Sequence, residues 1–161
     1  MPAAERLTRE SFRRLLPISG PRPMSALPSR VWTEEEWERI QFGYRARDMD
    51  EKWNVFAEDR IVFLHRSWTG HGIYEASFAP VEGGGCTITQ AVVETDPERH
   101  RDIGDAYGCL MLELVISAIV LGEAAAELRG RLVELTAQRS GNADLPSGVV
   151  QHSALGLRTE P

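Results

Sequence analysis

The stretch Ile61-Val62-Phe63-Leu64-His65-Arg66-Ser67-Trp68-Thr69-Gly70-His71-Gly72-Ile73-Tyr74-Glu75-Ala76-Ser77-Phe78 decides how this chain reads. Its two ends alternate with period two, the spacing at which side chains leave a strand on opposite faces. Ile61, Phe63 and His65 fall on one face, and Val62, Leu64 and Arg66 on the other. Beyond the centre, Tyr74, Ala76 and Phe78 alternate with Ile73, Glu75 and Ser77. The pattern predicts strands over 60–64 and 72–78 joined by a turn over 67–71. Both faces of the first strand start apolar, which predicts a position inside a sheet.

Outward from this unit, residues 52–57 alternate with Trp53, Val55 and Ala57 on one face, and Glu58-Asp59 reads as a tight reversal. Residues 86–94 are rich in β-branched side chains and predict a fourth strand. The three glycines before it read as a loop; no Lys-Ser/Thr pair follows, so they do not form a P-loop. A helix is predicted over 33–43, with Thr33 and Glu36 as a capping box, Trp37 and Ile40 inward and Gly43 as the stop. Asp96-Pro97-Glu98 reads as a second helix start. The apolar run from Asp105 to a break at Gly122 predicts a helix lying across the sheet, and 123–138 a surface helix. The expected fold is α+β: an N-terminal helix, an antiparallel meander of about four strands, and a long C-terminal helix or helical hairpin covering one face.

The expected organisation is a disordered basic leader over 1–30, a single domain over 31–139 and a disordered tail over 140–161. Five prolines interrupt the leader, with one short helix expected over 8–16. Met24 is a candidate alternative start. The chain has 161 residues and a formal charge of −6. The leader carries six Arg against two Glu, so everything after it is strongly acidic. That balance argues against nucleic acid as a partner of the folded part. Cys86 and Cys109 lack metal-ligand spacing and read as reduced thiols. No signal-peptide pattern or apolar run of membrane-spanning length is present, which predicts a cytoplasmic protein.

Residues 65–70 concentrate chemistry at a bend that needs little of it. Arg66, at the end of an apolar strand, must be paired. Glu75, Asp48 and Asp50 are the internal candidates, and an anionic ligand is the external one. His65 and Ser67 are spaced for a hydroxyl–imidazole contact, but no third group completes a triad. Trp68 either folds back over the core or forms a platform for a planar ligand or a protein partner. Lys52, Trp53, His65, Arg66, Ser67, Trp68 and Thr69 are therefore the candidate ligand-binding residues, with His65 the candidate catalytic base. No metal or cofactor is expected.

Residues 32–137 resemble a family of small bacterial proteins without an assigned activity. The resemblance rests on Trp32-Thr33, Glu36-Trp37, Ile40 and Gly43-Tyr44, then Asp48-Met49 and Lys52-Trp53, then the run from His65 to Gly70 followed by Ile73-Tyr74. Similar segments occur beside macrodomain or ADP-ribosyl-hydrolase modules, which implies a setting of ADP-ribose or NAD-derived nucleotides. Three functions follow as expectations. The first is a binding domain for a nucleotide-like anion or a protein partner. The second is a hydrolase or transferase on a nucleotide or ADP-ribosyl group, with His65 as base and Arg66 on phosphate. The third is an immunity-type or homo-oligomeric protein that buries Trp68.

Overall fold

A computed structural model describes residues 5–48, 50–140 and 146–156 of the chain. Its fold is α+β, with a six-stranded antiparallel sheet and four α-helices among the described residues. The strands are β1 (Pro21–Pro23), β2 (Val31–Trp32), β3 (Trp53–Glu58), β4 (Ile61–Arg66), β5 (Gly72–Pro80) and β6 (Cys86–Glu94). They run in the order β1-β6-β5-β4-β3, and β2 also pairs with β6. The hairpin between β3 and β4 turns at Asp59-Arg60, both with positive φ, one residue beyond the expected Glu58-Asp59. β4 runs on to Arg66 and lies inside the sheet, between β3 and β5. A bulge between Leu64 and His65 re-aims the end of the strand just before the turn.

The helices are α1 (Glu34–Phe42), α2 (Asp105–Leu114), α3 (Ala126–Ser140) and α4 (Ser147–Ala154). In α1 the Thr33–Glu36 capping box is made in both directions, and Gly43 closes the helix with a φ of 79°. Trp37 stacks on Phe78 at 4.7 Å, which anchors α1 to the sheet. α2 passes into a fully buried π-helical segment, Val115–Val120, before the chain breaks at Gly122. The core joins Val62, Leu64, Tyr74 and Phe78 of the sheet to Leu112, Leu114 and Ile116 of this rod and to Leu132 and Leu155 beyond it. No described helix is long and apolar enough to cross a membrane.

Three expectations are corrected. Asp96-Pro97 opens only a single turn: Arg99 and His100 N–H donate to the Asp96 carbonyl, but α2 begins nine residues after Asp96. Asp and Pro favour a turn start as readily as a helix start, and four residues later nothing extends it. The tail is not wholly structureless, since α4 packs Val150 and Leu155 into the core; residues 141–145 and 157–161 lie outside the described residues.

The third correction concerns the leader. Of the helix expected over 8–16 only a 3-10 turn forms, Arg9–Ser11, capped by Thr8. From Leu7 to Met24 the chain is a strap: residues 7–20 cross the sheet face opposite the described helical core, β1 adds an edge strand, and Met24 packs beside Gly108 of α2. Phe12 packs on Phe56 at 5.7 Å, and the Arg9 guanidinium sits 5.1 Å from both the Phe56 and Phe63 rings while pairing with Glu58. Leu16 N–H donates to Gly70 O at 2.8 Å. Ser19 and Gly20 N–H donate to the Glu94 carboxylate at 2.7 Å each. The prolines do not prevent pairing, because β1 is an edge strand whose missing N–H groups face no partner. The charge asymmetry is met within the chain: Arg6 pairs with Glu38, Arg9 with Glu58, Arg22 with Asp102 and Asp105, and Arg30 with Glu36 and Glu123.

A candidate anion-binding cleft

Arg66 is the last residue of β4, and pleat alternation sends it to the helix side of the sheet. Its guanidinium lies 4.7 Å from the Trp53 ring centroid, and Nη1 donates to Ala154 O at 3.1 Å. Trp53 Nε1 donates to the same carbonyl at 2.9 Å, so the end of α4 ties both side chains together. A guanidinium has five N–H donors, and among the described residues no carboxylate lies within ion-pair distance of this one. None of the three internal candidates serves. Glu75 pairs with Phe63 and feels Arg9, on the strap face. Asp50 pairs with His152, and Asp48 lines, with Trp68, a separate hollow that Arg66 does not line. Burial pulls the Arg66 pKa below its ordinary value, and the nearby Tyr107 and Tyr74 phenols partly oppose that.

Arg66 opens into a cleft of about 460 Å³. Trp53, Arg66, Ile73 and Tyr74 form its sheet side. Arg99, His100, Arg101 and Ile103 of the 95–104 loop form one wall, and Tyr107 and Met111 of α2 another. Thr136 and Arg139 of α3, with Ser153 and Ala154 of α4, complete it. Four arginines and a histidine thus line the cleft, and no Asp or Glu among the described residues does. Asp102 and Asp105, two carboxylates of this part of the chain, are occupied by Arg22 at 2.8 and 2.7 Å, and a third, Asp96, lies 3.8 Å from Arg99 Nε. The strap therefore engages part of the negative charge beside the cleft, while Asp96 partly offsets Arg99. Burial pushes the His100 pKa down; Arg66 adds to that, while Asp102 opposes it. Burial raises Tyr74 and Tyr107, so both phenols keep their protons at neutral pH and remain donors.

A smaller hollow of about 290 Å³ adjoins the cleft and shares Arg66 and Arg99 with it. Its other lining residues are Lys52, Ser67, Trp68 and Thr69. Trp68 does not fold back: its side stands 59% exposed, with the Lys52 ammonium 5.3 Å from the ring. The turn that carries it is held at several points. Ser67 N–H donates to Lys52 O and Ser67 Oγ to Glu51 O, while Gly70 N–H donates to Arg66 O. Gly70 adopts a φ of 78°, and a Cβ there would lie 2.6 Å from Arg14 O, so only glycine fits beneath the strap.

The sequence-predicted residues divide into two groups. Trp53 lies in the cleft, Arg66 in both cavities, and Lys52, Ser67, Trp68 and Thr69 in the smaller hollow. His65 belongs to neither. It is buried on the strap face, 5.6 Å from Phe56, and its Nδ1–H donates to Gly70 O at 2.9 Å. The expected His65–Ser67 contact is not made, since Ser67 Oγ is spent on Glu51 O. His65 and Arg66 cannot act on one substrate from opposite faces of a sheet. Among the described residues no three His, Cys, Asp or Glu side chains gather in a metal-binding group. Sequence reasoning missed Tyr74, Arg99, His100, Arg101, Tyr107 and Arg139. The run Arg99-His100-Arg101 was a visible signal: two arginines flanking a histidine beside Pro97 in an otherwise acidic chain.

No protein-family model, curated protein or solved structure matches this chain.

Proposed function

We propose that this protein is a binding domain whose cleft takes a small, phosphate-bearing, nucleotide-like anion. One observation carries the reading: a partly buried Arg66 faces an open cavity ringed by Arg99, Arg101 and Arg139, with no carboxylate among the described lining residues. Holding three further guanidiniums around the partly buried Arg66 is electrostatically unfavourable, and an anion of matching charge relieves that repulsion. Planar guanidiniums bind phosphate oxygens in pairs, and neutral phenols add donors. The cleft volume falls within the usual range for small-molecule sites. Within this class the family resemblance favours ADP-ribose or another NAD-derived nucleotide. A catalytic role finds less support, since the one candidate base lies across the sheet from the cleft. The exposed Trp68 indole favours, as a second reading, capture of a protein partner or another copy of the chain.

Thermal denaturation in the presence of pyrophosphate, ADP and ADP-ribose tests the proposal. A ligand at about a hundred times its Kd adds about 2.7 kcal/mol, or roughly 5–10 °C in Tm for a domain of this size. Arg66→Met is expected to weaken binding by about thirtyfold or more. A wild-type melting curve unmoved by all three compounds would refute the reading.

A further inference from the structure

The cleft and the smaller hollow meet at Arg66 and Arg99, and their chemistry changes across that junction. On one side lie guanidiniums, phenols and an imidazole. On the other an indole stands well exposed, with Lys52 against its ring. We infer that these are two halves of one site for a nucleoside diphosphate. The diphosphate lies in the cleft against Arg66 and Arg99, and the base stacks on Trp68. This rests on the cleft being an anion site, and it adds a residue that reads the ligand's uncharged half.

Three observations support it. The first is rigidity. An exposed tryptophan at a floppy turn would lose conformational freedom on stacking, whereas this turn is already fixed by Ser67, Gly70 and Leu16 hydrogen bonds on both sides of the indole. The second is the polarity of the described surroundings. The other exposed large apolar residues among those described are Val31 and Val149, and neither lines the hollows beside Trp68. Among the described residues that line those hollows with it, all but Ala46 are polar. A protein interface centres on a cluster of apolar anchors, whereas a stacking platform needs only one ring with polar surroundings. The third is charge. Four guanidiniums line the cleft, which suits a diphosphate better than a single monoanion.

Every base offers a flat face, so the platform takes ADP and UDP alike. The experiment measures Kd by calorimetry for pyrophosphate, ADP and UDP. It uses the full chain and its Trp68→Ala, Trp68→Phe and Arg66→Met variants, each first shown by circular dichroism to fold. In the wild type both nucleotides are expected to bind about tenfold tighter than pyrophosphate. Trp68→Ala removes that gain and leaves pyrophosphate within about twofold of the wild-type value, while Trp68→Phe keeps most of it. Trp32 and Trp37 are buried away from both cavities and Trp53 lines the cleft, so quenching by ADP beyond that by pyrophosphate, lost in Trp68→Phe, gives an independent readout. Equal affinity for pyrophosphate and nucleotides, or an equal loss for both in Trp68→Ala, would overturn the two-part site while leaving the anion cleft standing. No pyrophosphate binding, or binding indifferent to Arg66→Met, would overturn the cleft itself. If Arg66→Met does not fold, Arg99→Met takes its place.

Discussion

His65 and Arg66 are adjacent in the chain, and the sheet sends them to regions built on opposite terms. On the strap face, polar groups are met by the protein itself. The His65 Nδ1–H reaches Gly70 O, Arg9 lies between two aromatic rings and Glu58, and the fully buried Glu94 carboxylate accepts from the Ser19, Gly20, Thr95 and Asp96 amides. On the helix face, Arg66 receives one carbonyl and the face of one indole ring. A group whose donors and acceptors are all used holds the fold together and has nothing left for a ligand. A desolvated cation with unused donors destabilises the fold slightly and is ready for an anion. Burial alone does not separate these cases, because both residues sit at the end of the same strand; the completeness of their partners does.

The sharpest way to break this comparison is to remove the strap's anchor. Burial by itself would raise the Glu94 pKa, but the backbone donors of Ser19, Asp96, Gly20 and Thr95 together bring it below the ordinary value. Glu94→Ala would orphan the Ser19 and Gly20 amides and is expected to cost about 3 kcal/mol in urea unfolding. Glu94→Gln keeps an acceptor and should cost about 1 kcal/mol. A cost below about 0.5 kcal/mol for Glu94→Ala would mean that the strap is not part of the folding unit, and the contrast between the faces would fail. A chain begun at Met24 would lose β1, Arg9 and the Glu94 contacts together, so its loss should exceed that of Glu94→Ala.

Much of the sheet was legible because its signals are local. Period-two alternation placed β4 and β5, the Thr33–Glu36 box placed α1, and the crowding at residues 65–70 pointed to the smaller hollow and to Arg66, which it shares with the cleft. The other walls were hidden, since Arg66 meets Tyr107 and Arg139 only after the sheet and helices have assembled. Their spacing in the chain carries no period that could announce it. The leader misled for the opposite reason: its prolines and charge are a genuine local signal of disorder, overridden by pairs such as Arg22–Asp105, made 83 residues apart. Its basic excess over an acidic remainder was the clue, read too readily as solvation when it was complementarity within one chain.

A second test uses the two buried imidazoles, one on each face. Burial is the main cause that holds both His65 and His100 below the ordinary histidine pKa, so each is neutral in the folded state at neutral pH. The unfolded chain binds these protons more readily, so unfolding is favoured as pH falls. Stability is complete above the unfolded value of about 6.5 and declines as pH drops through it toward the folded values. Melting temperature should therefore fall between pH 7.5 and 5.5. Saturating pyrophosphate should remove the His100 share, because an anion in the cleft favours the imidazolium, while the His65 share persists beneath the strap. His65→Gln in the presence of pyrophosphate should then give the flattest profile of the series. A profile equally steep with and without pyrophosphate would show that His100 does not sense the cleft's occupant.

The smallest expected effect separates the faces most cleanly. If Arg66 were structural, replacing it with methionine would break its interactions and cost about 3–5 kcal/mol, as the loss of one partner of a buried ion pair does. Its one carbonyl bond and its contact with Trp53 are worth about 1–2 kcal/mol together. Relief of its desolvation and better packing of a methionine against Trp53 act in the opposite direction. Arg66→Met should therefore leave urea-unfolding stability within about 1 kcal/mol of the wild type while weakening anion binding about thirtyfold or more. Stability and function uncoupled at one residue would mean that the fold tolerates Arg66 and the ligand requires it. A large loss of stability would instead place Arg66 with Glu94, among the groups the protein keeps for itself.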